Sequence, residues 1–73
     1  MDPERRESLI DIAVALLKND PSTSKITSAT KQQIAEGAKE LARQSGADGD
    51  PQVLHECEEM IRESYQRLGI TII

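Results

Sequence analysis

The chain has 73 residues, with nine Lys and Arg against 13 Asp and Glu for a net charge of −4, one Cys, one Tyr, and neither Trp nor Phe. This length allows a single domain close to the lower limit for folding without staples, and a lone cysteine excludes an intrachain disulfide. The acidic balance repels phosphate and so argues against nucleic acid as a partner, and no apolar stretch approaches the ~20 residues that span a bilayer.

The longest basic run, Arg5-Arg6, is flanked by Glu4 and Glu7. The opening Met-Asp-Pro-Glu-Arg-Arg-Glu is too acidic for a signal or transit peptide. A single thiol suits a reducing compartment, so the expected setting is the cytoplasm. With aromatics nearly absent, the balance of Ala, Leu, Glu, Lys, Gln and Arg favours helix over strand. The core must then be built from Leu, Ile, Val, Ala and Met.

All three prolines follow an aspartate: Asp2-Pro3, Asp20-Pro21 and Asp50-Pro51. Asp caps the unpaired N–H groups of a helix start, and Pro suits the next position because its missing N–H costs nothing there. The pairs therefore mark three candidate helix starts. The first helix is expected from Asp2 to about residue 18 or 19. Its stripe is Leu9, Ala13, Leu16 and Leu17, with Ile10 and Val14 beside it, an arc wider than a two-helix seam requires. Glu4 and Glu7 near its start and Lys18 near its end suit the helix dipole, and Asn19-Asp20-Pro21 stops it.

The next stretch is rich in Ser and Thr, and three helix starts compete there: at once from Asp20, or later from Ser24 or Thr27. The spacing predicts a helix over 28–44, with Ile34, Ala35, Ala38, Leu41 and Ala42 as its apolar face. Gly37 in its interior costs about 1 kcal/mol against Ala and lets a neighbouring backbone come close. Residues 45–49 read as a loop, with Gly46 at a left-handed C-cap. Asp50-Pro51 then opens a third helix with Val53, Leu54, Cys57, Met60, Ile61, Tyr65 and Leu68 on a near-heptad stripe, and Gly69 ends it. Glu58–Arg62 and Glu63–Arg67 are acid-first (i, i+4) pairs. Three helices with short loops predict an all-α, up–down–up bundle over 1–69. Residues 70–73, Ile-Thr-Ile-Ile, form a short apolar tail. This tail packs on the bundle, pairs as a strand with another chain, or leads into a longer polypeptide.

Few residues suggest chemistry. His55 and Cys57 lie two apart, about 160° round a helix, whereas metal ligands must share a face. Cys57 reads as a core thiol and His55 as a surface residue. Counting Asp48 as position 1 of a calcium loop puts Asp50 at 3 and Glu59 at 12, but Val53 stands where the turn demands Gly. No phosphate-cradling Gly loop is present, and one His without an orienting partner makes a poor base. No catalytic residue, metal or cofactor is expected. Ser22, Thr23, Ser24, Thr27, Ser28 and Thr30 read as a solvated loop with several capping options, and phosphorylation is the alternative.

The run Ile34-Ala35-Glu36-Gly37-Ala38-Lys39-Glu40-Leu41-Ala42 resembles the first half of the motif L-x-x-A-A-K-x-L-A in talin rod helices that bind vinculin. The stretch that follows, as far as Cys57-Glu58-Glu59-Met60-Ile61, looks like helix–loop–helix segments of the vinculin and α-catenin family. Gly37 stands where the motif has its first Ala, the motif's later Leu-Leu is missing, and family members use larger bundles. The resemblance covers about half the chain. It implies a helical adhesion or cytoskeletal module working by helix-in-groove contacts, with Ile34, Ala38 and Leu41 as candidate anchors.

These features lead to the expectation of a non-catalytic helical module for protein–protein interaction or oligomerisation. Ile34, Ala38, Leu41, Ile70, Ile72 and Ile73 are its candidate partner-binding residues, with a protein partner or a second copy as occupant. The alternative is an N-terminal regulatory or targeting domain of a larger protein or enzyme. A helix-turn-helix DNA binder ranks last, because the third helix carries Glu56, Glu58, Glu59 and Glu63.

Overall fold

Asp2 and Asp50 cap helices as their proline neighbours predict. In the computed structural model, which describes residues 2–44, 46 and 49–73, helix α1 runs Pro3–Asn19 and the Asp2 carboxylate accepts the Glu4 N–H at 3.1 Å. A later helix, Pro51–Arg67, starts the same way, with Asp50 accepting the Gln52 N–H at 3.0 Å.

Asp20-Pro21 behaves differently. The Asp20 N–H closes the last turn of α1 onto the Leu16 carbonyl at 3.0 Å. Its carboxylate accepts from the Ser22 N–H and hydroxyl at 2.9 and 2.8 Å. Its carbonyl takes the N–H groups of Thr23 and Ser24, and the Thr23 hydroxyl donates back to the Leu17 carbonyl at 2.6 Å. These bonds fold the chain through a single turn, after which it extends into a two-residue strand, β1 (Ser28–Ala29).

Helix α2 therefore starts at Lys31 and runs to Gln44, not from residue 28, and none of Asp20, Ser24 and Thr27 caps it. Thr30 does. Its N–H donates to Gln33 Oε1 at 2.7 Å and its hydroxyl accepts the Gln33 N–H at 3.3 Å, the reciprocal capping box of a T-x-x-Q sequence. Helical spacing upstream loses because the backbone of residues 27–29 has other partners.

Those partners lie in the last four residues. After helix α3 (Pro51–Arg67), Gly69 adopts φ 75°. Its N–H bonds the Gln66 carbonyl at 3.0 Å, and the Ile70 N–H bonds the Tyr65 carbonyl at 2.9 Å. This double closure of a helix end needs a left-handed residue. Strand β2 (Thr71–Ile72) then pairs parallel to β1, with Ser28 opposite Thr71 and Ala29 opposite Ile72. The N–H groups of Thr71 and Ile73 donate to the carbonyls of Thr27 and Ala29 at 3.0 and 2.9 Å. The strand pairing weighed for this segment with another chain takes place within the chain, and it ties the start of α2 to the end of α3.

The protein is mostly helical, with three helices among the described residues. Helix α3 is the centre: α1 and α2 each pack chiefly on it and touch one another far less. The core joins Ile10, Ala13 and Leu17 of α1 to Ile34, Ala38, Leu41 and Ala42 of α2 and to Cys57, Met60, Ile61 and Tyr65 of α3, with Ala29 and Ile70 beside them. The close approach expected at Gly37 is made by a side chain: a Cβ there would lie 3.2 Å from Ile61 Cγ2. Ser64 is the buried polar residue, and its hydroxyl donates to the Met60 carbonyl at 2.7 Å. The radius of gyration, 11.2 Å, equals the roughly 11 Å of a compact folded chain of this length. No helix is long and apolar enough to cross a membrane among the described residues. Of the loop expected over 45–49, Ser45, Ala47 and Asp48 lie outside the described residues, as does position 1 of the calcium count.

Candidate functional site: the α1–α2 groove and the uncovered stripe of α1

At 100° per residue the apolar arc of α1 covers about 200°, and α3 covers only part of it. Ile10, Ala13 and Leu17 are buried. Beside them at the same spacing run Leu9, Ile12 and Leu16, where Leu9 is half-buried and Ile12 and Leu16 remain 46% and 40% exposed. The buried stripe is thus centred on Ile10, Ala13 and Leu17, and the wide arc leaves Ile12 and Leu16 in water.

Because α1 and α2 both lean on α3 more than on each other, a groove of about 680 Å³ lies between them, open to solvent. Its floor includes Leu17, Gly37, Leu41, Ile61 and Tyr65, and Leu16 forms the α1 side. Asp20, Glu36 and Glu40 also line it, and no Lys or Arg does among the described residues. Glu36 and Glu40 stand one turn apart on α2.

The electrostatics follow from these neighbours. Backbone and hydroxyl hydrogen bonds from Ser22 hold the Asp20 carboxyl below its ordinary value. Hydrogen bonds from Arg43 and then Gln44 do the same for Glu40. The Tyr65 phenol is pushed up, first by burial and then by the charges of Asp20 and Glu36. Such a surface offers shape, apolar area and negative charge, the means of binding a complementary body.

The residues singled out from the sequence are dispersed. Ile34, Ala38, Leu41 and Ile70 are buried in the core. Ile72 is half-buried, and Ile73 is 72% exposed. Of the six, only Leu41 reaches the groove. Cys57 is a free, buried thiol whose pKa burial and the Glu56 charge raise. His55 is exposed, with its Nε2 3.4 Å from Glu59 Oε1. No group of three or more His, Cys, Asp or Glu stands together as metal ligands would, among the described residues.

Sequence reasoning missed the acidic rim and the Tyr65 floor. A trace of the groove was present in α2, where Gln33, Glu36, Gly37, Glu40, Leu41 and Gln44 recur at i, i+3, i+4, i+7, i+8 and i+11. That face mixes acid, amide and glycine, so it reads as solvated until α1 is seen to stop short of it. Set against known proteins, the chain matches no family model, no curated protein and no solved structure.

Proposed function

We propose that this chain is a non-catalytic helical module for protein–protein interaction. The observation that carries the proposal is the pair of exposed aliphatic residues Ile12 and Leu16 on α1, Leu16 also lining an open groove with an apolar floor. A chain this small gains little by leaving large aliphatic side chains in water, and contiguous apolar surface rimmed by polar groups is the mark of a docking face. The helices are taken as an up–down–up bundle. Support for the antiparallel α2–α3 step comes from the strand pair, which joins the residues just before α2 to those just after α3. The talin and vinculin likeness suggests the same mode, a helix laid against a helical surface.

Two readouts test the proposal together: sedimentation equilibrium over a wide concentration range, and selection of displayed peptides against the folded chain. The double variant Ile12→Glu/Leu16→Glu serves as control. Self-association or selected helical peptides that vanish with the variant, while its helical content stays intact, are the expected result. A strict monomer that selects no peptide beyond the control would refute an interaction role.

A further inference from the structure

From the acidic rim and apolar floor we infer that the α1–α2 groove receives a basic amphipathic helix of another protein, with its aliphatic residues on the floor and its Lys or Arg side chains against Glu36, Glu40 and Asp20. This rests on reading the chain as an interaction module and names the chemistry of its partner.

The floor sets the apolar half of the requirement. Leu16 supplies the exposed aliphatic surface, Leu17, Leu41 and Ile61 are core residues that close the floor beneath it, and Gly37 leaves the α2 wall without a side chain directly above Ile61. About 680 Å³ of groove has room for a few aliphatic side chains. Open on its solvent side, it suits the ridge of a helix better than an enclosed small molecule, which needs most of its surface buried.

The rim sets the polar half. Three carboxylates line the groove with no Lys or Arg among the described lining residues; Glu40 also pairs with Arg43 on its own helix, and Asp20 accepts from Ser22, so a basic partner competes for the first and adds to the second. Glu36 and Glu40, one turn apart, match basic residues spaced i, i+4 on a partner helix, and Asp20 faces them from the turn after α1. A second copy of this chain is the poorer occupant, because two bodies of net charge −4 repel.

The experiment titrates isotope-labelled full chain with a synthetic helical peptide of leucine and lysine only. A leucine–glutamate peptide of the same pattern and a scrambled leucine–lysine peptide run beside it. Amide shifts and the ring signals of Tyr65, the single tyrosine, locate the contact. The expected result is saturable binding of the leucine–lysine helix alone. Shifts then gather at Leu16, Gly37, Leu41 and Tyr65, and Glu36→Lys/Glu40→Lys weakens binding about tenfold or more. Both positions are exposed helix sites that accept lysine, and circular dichroism verifies the variant's fold.

Equal binding of the glutamate or scrambled peptide, or undiminished binding by the double variant, overturns the basic-partner inference and leaves an interaction module standing. Shifts elsewhere on the surface, or self-association that occupies the groove, also overturn it while sparing that broader reading. If neither helical peptide binds and the chain stays monomeric at every concentration, both fall together.

Discussion

Arg67 Nη2 donates to both carboxylate oxygens of Glu7, at 2.8 and 3.0 Å, across 60 positions of sequence. The same guanidinium stands 3.6 Å from Asp11 and 3.7 Å from Glu63, so one cation gathers three carboxylates and ties α1 to the last turn of α3. The hydrogen bond from Arg67 is the main cause that holds the Glu7 carboxyl below its ordinary 4.5, and the same bond raises the Arg67 pKa. A carboxyl whose folded pKa is depressed stabilises the fold above the unfolded value and loses that contribution as pH falls through the folded one. Glu7→Gln should therefore lower the melting temperature slightly at neutral pH. The gap should close in acid, and also near 1 M salt, where the screening length falls to about 3 Å. Thermal melts across pH and salt check this, and a gap that persists in both conditions contradicts the ion-pair origin.

The caps separate two roles for similar residues. Asp50→Ala and Thr30→Ala should each cost about 1 kcal/mol, because each removes a side-chain acceptor from a helix start. Asp20→Ala should destabilise the turn at 20–24 while leaving helical content unchanged, since Asp20 starts no helix. Urea unfolding gives the energies, and far-ultraviolet circular dichroism gives the helix content.

The last four residues divide sharply in weight. Ile70 is buried in the core, and its truncation in Ile70→Ala should cost about 2–4 kcal/mol. Ile73 is mostly exposed, so Ile73→Ser should stay within about 0.5 kcal/mol. Denaturant midpoints of the two variants decide it, and equal losses would mean that Ile70 does not pack where the fold puts it.

Gly37 is held by Ile61. At an open helix site Gly→Ala gains about 1 kcal/mol, but here the new methyl meets Ile61 Cγ2 at 3.2 Å. Gly37→Ala should fall short of that gain, and Gly37→Leu should destabilise by about 1–3 kcal/mol through overpacking. Pairing Gly37→Ala with Ile61→Ala should show non-additive energies, as expected of side chains in contact. Additive energies would contradict the contact.

Local signals carried much of the fold. Asp2-Pro3 and Asp50-Pro51 give α1 and α3 their starts, and Gly69 gives α3 its end, because capping depends on residues within a turn of the boundary. The start of α2 was the failure. Helical periodicity extends upstream of Lys31, but the carbonyls of Thr27 and Ala29 bond N–H groups more than 40 positions away, at Thr71 and Ile73. Spacing along the chain does not report such a partner. The Thr30-Gln33 box is the local signal that marks the true start of α2. The groove was less legible still. It arises from how α1 and α2 lean on α3, and the broad apolar arc of α1 and the mixed face of α2 are its traces in the sequence.

The uncovered stripe is tested most directly by methyl relaxation of the dilute chain with a neutral, soluble gadolinium chelate. An interaction surface on α1 requires the Ile12 and Leu16 methyls to relax strongly, as Ile73 does, while those of Ile10, Ile34 and Leu41 stay shielded. Shielding of Ile12 and Leu16 in the dilute monomer would mean that the chain covers its own stripe, and the surface on which the proposed function stands would be gone.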